Sequence, residues 1–411
     1  MTIPTPGGGP RLDRPRLMLR LGYGALTIGL IGLNAWWRWA DRPPVDLRAI
    51  DRWIAAGRPA DAERGLREQI ARSRFDGEAM RTLARLVAKR GDYLGCARIL
   101  RDVPDWWPAK AEALFIEAQS FKQVDRFRDA ETAWKACVAG DPLHPIPPRY
   151  FQGAARELIG TYILEGRIDE ARRLLMRAYE LAAPSERVDV LIMRMRAELE
   201  RVAHEEAVSK LRSFVEADPD DWQARRALAL EEQSTENPTA ADVQINACLD
   251  ARPTDPDVWR THLQILHRRG DRDAIKAAVK RLPPSADDDA EIWKFRGLAR
   301  EWNEELESAA AAFRRASELN PREGEYCYKL GIVEQRLGRS ALATEHLKQS
   351  RILRKADSDL NDAYHRFVDL TQHSHPGDPS YDAEVKLLAS LCEQLGWNRE
   401  ADAWRKILTA D

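Results

Sequence analysis

The sequence predicts an all-α chain, an α-solenoid superhelix of stacked antiparallel helix pairs preceded by a single transmembrane helix. Three observations predict it. Alanine, leucine, arginine and glutamate dominate, and strand-like runs of valine, isoleucine and threonine are nearly absent. Landmark residues recur at a 34-residue step: Pro108 and Pro142, Pro219 and Pro253, Trp259 and Trp293. A stretch without charge runs from Leu21 to Trp37 near the start.

The beginning of the chain reads as two segments. Residues 1–16 form a basic, Pro/Gly-rich disordered tail, and residues 17–39 a transmembrane anchor. Seventeen residues at ~1.5 Å rise span only ~26 Å. Leu17, Met18 and Leu19 extend the span because Arg20 can snorkel toward the headgroups. Tyr23, Trp36, Trp37 and Trp39 suit interfacial belts. A cleaved signal peptide is the rival reading. It requires small residues before the cut, and here the apolar run ends in bulky Trp36-Trp37-Arg38-Trp39. Gly22, Ala25, Gly29 and Gly32 lie on one stripe of the span, where small residues let two helices approach, so a homodimer through the anchor is one expectation. The other is that glycine is simply common in membrane spans. The short basic tail favours an N-terminus left in the cytoplasm. That places the remainder on the periplasmic side of a bacterial inner membrane.

Residues 43–410 carry the repeat. Its clearest unit holds Trp293, Gly297, Leu306, Ala309, Phe313, Ala316 and Pro321. The same slots recur as Leu83, Ala84, Gly91, Tyr93 and Cys96, as Ala118, Phe127, Ala130, Trp134 and Cys137, and as Leu330, Gly331, Gly338 and Ala343. About ten helix pairs result, with turns at Gly91, Gly166, Gly270, Gly338 and Gly396. Small residues such as Gly297 and Ala309 are expected to let the two helices of a pair approach. Trp293 and Phe313 are expected to fill the gap between neighbouring pairs. The register breaks near 143–151, 233–239 and 373–381.

These residues resemble the tetratricopeptide repeat family. The resemblance implies a concave face lined by the first helix of each pair, used to hold a protein or peptide. By register that face holds Arg81, Arg85, Phe115, Gln119, Lys122, Arg156, Arg196, Arg260, Gln264, His267, Lys294 and Tyr328. Many are basic, which suits an acidic partner segment. Acids three residues earlier, such as Glu78 before Arg81 and Asp257 before Arg260, leave solvated helical pairs as the alternative.

No chemistry stands out. The net charge of −2 gives no bulk attraction to nucleic acid. The five cysteines, Cys96, Cys137, Cys248, Cys327 and Cys392, are scattered and read as small core residues. There is no phosphate loop, no HExxH and no nucleophile elbow. His365, His373, His375 and Asp378 are the densest metal-like group and read as a solvated loop. Asp287-Asp288-Asp289 reads as a helix start. The expectation is a membrane-anchored scaffold or adaptor without cofactor or catalysis. A structural homo-oligomer, or an accessory subunit of an enzyme complex, is the alternative.

Overall fold

The computed structural model describes residues 47–409 except 74, 141–145, 201 and 235–237. The tail, the anchor at 17–39 and the stripe Gly22, Ala25, Gly29 and Gly32 lie outside the described residues. Among the described residues no helix is long and apolar enough to cross a membrane.

The described residues hold twenty α-helices in two units, one ending at Trp107 and one beginning at Pro108. In the first unit, α1 (Leu47–Ala55) pairs with α2 (Pro59–Arg72), and α3 (Gly77–Lys89) with α4 (Tyr93–Arg101). The second unit contains α5 (Lys110–Lys122) and α6 (Phe127–Ala139), α7 (Pro148–Leu164) and α8 (Ile168–Leu181), then α9 (Arg187–Leu199) and α10 (His204–Ala217). Next come α11 (Trp222–Ser234) and α12 (Pro238–Ala251), α13 (Pro256–Arg268) and α14 (Arg272–Val279), and α15 (Ala290–Trp302) and α16 (Leu306–Leu319). The last are α17 (Gly324–Arg336) and α18 (Ser340–Leu370), and α19 (Pro379–Gln394) and α20 (Asn398–Ile407).

The pairs are made by one repeated turn. Gly57, Gly91, Gly166, Gly270, Gly338 and Gly396 all take positive φ, between 68° and 88°. At Gly91 the amide donates to Ala88 O and the next amide, of Asp92, reaches back to Val87 O. Those two bonds satisfy carbonyls that a helix end leaves open, and the left-handed residue they require is cheapest as glycine. The same double bond recurs at Gly166, Gly270, Gly338 and Gly396. Asp125 (φ 57°) and Glu304 (φ 62°) fill the slot in two pairs that lack glycine. Gly57, Gly91 and Asp125 follow at 34-residue steps, as do Gly270, Glu304 and Gly338. The periodicity read from the sequence is therefore a periodicity of turns. Aspartates start several of the helices that follow: the Asp76, Asp92, Asp271 and Asp289 carboxylates accept from the amides of Ala79, Gly95, Ala274 and Ile292 at 2.8–3.0 Å. Asp289 thus accounts for the acidic run at 287–289.

Packing follows the small-residue slots. A Cβ added to Gly297 would lie 2.6 Å from the Phe313 ring, so Phe313 packs across its own pair, within a core that also holds Leu330 and Val333 of the next pair. Phe313 is fully buried, whereas Trp293 is half-buried with its indole N–H donating to Asp287 O at 2.8 Å. All five cysteines are buried thiols, and burial pushes those of Cys137 and Cys392 up to about 12.

The second unit departs from a simple stack at α9. Helix α10 packs on α11 instead of α9: Leu211 joins Ala224 and Leu228 in a core that Leu164 and Phe214 border, and the Phe214 ring lies 4.2 Å from that of Phe127 on α6. That leaves α9 facing the end of the chain. Leu191 and Met195 of α9, with Met176 and Tyr179 of α8, join one core with Phe367, Tyr381, Leu388 and Trp404. The C-terminal helices return to α8 and α9, and this unit closes on itself.

Candidate binding chamber

Closure encloses space. Two cavities of about 710 Å³ and 640 Å³ lie within the second unit and share Gly166, Ile168, Glu198, Gln264 and Glu291 as walls. Together they form one chamber. Its lining comes from the α7–α8 turn, the end of α9, the inner face of α13, the start of α15, the α16–α17 loop, Asp357 of α18 and Trp397 at the cap.

Most charges here are committed to one another. Arg260 of α13 donates to Asp289 at 2.5 Å and to Asp257 at 2.6 Å. Burial alone would lower its pKa; the two carboxylates outweigh that and hold it above the usual value. Gln264, one turn on, donates to Glu291 at 2.8 Å. His267, another turn on, sits edge-on to Phe295 at 5.6 Å. Burial and the nearby Lys294 ammonium hold its imidazole below the ordinary range, favouring the neutral ring. Buried Lys294 pairs with Glu291 at 3.1 Å and Glu325 at 3.6 Å.

The wall at the closure is built differently. Arg172 of α8 donates to Asp169 at 2.6 Å and to Glu198 at 2.9 Å. Glu198 also receives Arg194 at 3.1 Å. The Arg194 guanidinium lies 4.8 Å from the centre of the Trp397 ring. Arg322, on the α16–α17 loop, faces the same cavity. Burial and the neighbouring Arg172 cation depress its pKa. Burial and Glu198 raise that of Asp357.

Of the twelve residues placed on a concave face from the repeat register, the chamber collects Arg260, Gln264 and His267. Arg81 and Arg85 belong to the first unit, where Arg81 pairs with Glu78 at 2.5 Å and lies over Trp107. Phe115 packs against Gly153 and Tyr150, Gln119 is half-buried on α5, and Lys122 pairs with Glu157 at 2.7 Å. Exposed Arg156 lines a separate cavity of about 280 Å³ between α7, α8 and α9. Arg196 is exposed and bonded to Glu200 at 2.7 Å. Tyr328 is 39 % exposed beneath Arg354.

Within the second unit, the basic candidates Lys122, Arg156 and Arg196 lie outside the chamber's lining. Around the chamber, Asp169, Glu198, Glu200, Glu231, Asp288, Asp289, Glu291, Glu323 and Asp357 outnumber Arg172, Arg260, Arg268 and Arg322. Arg172, Glu198, Arg322, Asp357 and Trp397 had no signal in the sequence, because they meet only through closure. The histidine loop does not gather: the His375 amide donates to Asp378 at 2.8 Å, and His365 lies beside the Tyr364 ring. Among the described residues no three His, Cys, Asp or Glu side chains could share a metal ion.

No protein-family model matches the chain, and no curated protein matches it. Solved structures that are similar include MamA residues 41 to the end from Desulfovibrio magneticus RS-1, with TM-score 0.33 and 21 % identity over 40 % of this chain and 94 % of that one. A Pseudomonas aeruginosa PilF structure gives 0.33 and 16 % over 58 % of this chain and 90 % of that one. A monomeric mutant of IFIT1 with Gppp-AAAA gives 0.35 and 12 % over 85 % of this chain and 94 % of that one. The architecture is a TPR-like run of helix pairs. Its own periodic turns carry that statement, since scores this low add nothing about ligands.

Proposed function

We propose that this protein is a non-catalytic scaffold or adaptor, and that the chamber of its second unit receives a segment of a protein partner. The observation that carries the reading is closure. Return of α19 and α20 to α9 turns a repeat face into a recess of about 640 Å³, lined by side chains from several pairs. Pockets for ligands are concave and largely pre-formed, and such walls offer both apolar surface and oriented polar groups. The uncharged run at 21–37 supports tethering this module to a membrane, with the second unit on the far side from the basic tail.

Ala290→Trp tests the reading. Ala290 lines the chamber at the start of α15, and an indole there would fill space without touching the periodic turns. Partner co-purification with the full chain should fall at least ~tenfold while helicity is unchanged. Undiminished capture by a folded Ala290→Trp protein would remove the chamber from partner binding.

A further inference from the structure

We infer that Arg322 is an anion-binding residue of the chamber, and that the anion it takes is a carboxylate carried next to a basic group on the partner. The inference deepens the reading of the chamber as a partner's seat and rests on it. Its starting point is an imbalance. Arg172 and Arg260, facing the same 640 Å³ cavity, each hold two carboxylates. Arg322 is half-buried and, among the described residues, makes no ion pair or hydrogen bond.

A half-buried guanidinium that makes no hydrogen bond is short of direct anion contacts, even though the Glu198, Asp169 and Glu400 carboxylates act on it from a distance. The stem of Arg322 runs beside the turn of the C-terminal pair: its Cγ and Cδ lie 3.6 and 3.7 Å from where a Gly396 Cβ would stand. Arg322 lines the chamber wall there. On the same loop, the Asn320 side-chain oxygen is buried without a hydrogen-bond partner and, as an acceptor, calls for a donor such as a basic group; buried Tyr326 of α17 also lines the cavity. An oxyanion at Arg322 gains charge-assisted bonds from a planar fork suited to carboxylate.

The rest of the wall sets the ligand's other half. Asp357 lines the same cavity, and among the described residues it too lacks an ion pair. A bare anion would be repelled by Asp357 and Asp288, and a bare cation by Arg322. A segment with adjacent acidic and basic side chains satisfies both signs.

The test is binding of three short glycine-based peptides to the full chain at constant ionic strength: one with Glu beside Lys, one with Glu alone, one with Lys alone. The Glu–Lys peptide should bind at least ~tenfold tighter than either other. Arg322→Met should remove that preference, Arg322→Lys should restore part of it, and Asp357→Asn should erase the advantage over Glu alone. Without peptide, Arg322→Met should melt no lower than wild type, since it breaks no ion pair or hydrogen bond. Equal binding by Arg322→Met, tightest binding of the Lys peptide, or inorganic phosphate matching the Glu–Lys peptide would each overturn the assignment. A partner that needs Ala290 but ignores Arg322 would defeat this inference alone. A partner indifferent to Ala290→Trp would defeat the chamber itself.

Discussion

Arg194 and Glu400, far apart in the sequence, meet as a buried ion pair with Nε to Oε1 at 2.9 Å. Arg194 stands on α9 and Glu400 on α20, and neither side chain is more than 6 % exposed. Around them Tyr179 donates to Ala403 O at 3.0 Å, Tyr364 to Glu200 at 2.8 Å, and Arg399 to Glu180 at 2.7 Å. These bonds orient α18 and the C-terminal pair on α8 and the end of α9. The apolar core of Leu191, Met195, Phe367 and Trp404 supplies the attraction.

Arg194→Ala leaves the buried Glu400 carboxylate alone and should cost ~3–5 kcal/mol, whereas Glu400→Ala leaves Arg194 its Glu198 partner and should cost less. The double variant should cost clearly less than the two together, because the stranded charge is then gone. Denaturant unfolding of all four proteins checks this. Strict additivity would mean the two residues do not interact.

Stability should also depend on Glu165. Burial outweighs its Arg167 partner and pushes its carboxyl from an ordinary 4.5 up to about 7. The folded protein therefore keeps the Glu165 proton where the unfolded chain has lost it. Its contribution is fully present below pH 4.5 and is lost as pH rises to about 7, for a total of about 3 kcal/mol. In Glu165→Gln that slope should vanish. Unfolding free energies of both proteins between pH 4.5 and 7.5 decide it, and parallel curves would contradict the account.

The contact of Gly297 with Phe313 sets helix spacing in α15–α16. Phe313→Ala should cost ~3–5 kcal/mol through an unfilled cavity. Gly297→Ala should cost ~1–3 kcal/mol, since its methyl would meet the ring. Adding Phe313→Leu should recover part of the Gly297→Ala loss. Thermal melting reads all three, and a neutral Gly297→Ala would show that the helices can part freely.

Glu304 occupies a turn slot that glycine fills in neighbouring pairs. Its ion pair with Arg336 at 2.5 Å is exposed and worth little. Glu304→Gly should therefore stabilise by ~1 kcal/mol, as a non-glycine residue leaves the left-handed region. A loss of stability on chemical unfolding would put the strain elsewhere.

What the sequence disclosed follows from range. Pairing is local, so Gly91, Gly270 and Gly338 announced their turns, and Gly297 the close approach of its pair, though not its contact with Phe313. Closure is not local. Nothing near Arg194 marks it as Glu400's partner, and a repeat register alone gives an open face. The basic residues assigned to that face were sound as positions on first helices. Some of their carboxylate partners were legible, Glu78 for Arg81, Asp257 for Arg260 and Glu291 for Lys294, each three residues away; others, Asp289 for Arg260 and Glu157 for Lys122, come from neighbouring pairs whose rotation the register does not specify. Asp125 and Glu304 hid two turns because they lack the glycine that betrays the others.

The most direct measurement is site-specific photo-crosslinking from within the chamber. A photoreactive residue replaces Gln264, on the inner face of α13, or Tyr328, which is 39 % exposed outside the cavities, in the full chain. The account predicts a partner adduct from position 264 that Ala290→Trp abolishes, and little or none from 328. Adducts from 328 alone, or from 264 undiminished by Ala290→Trp, would contradict it.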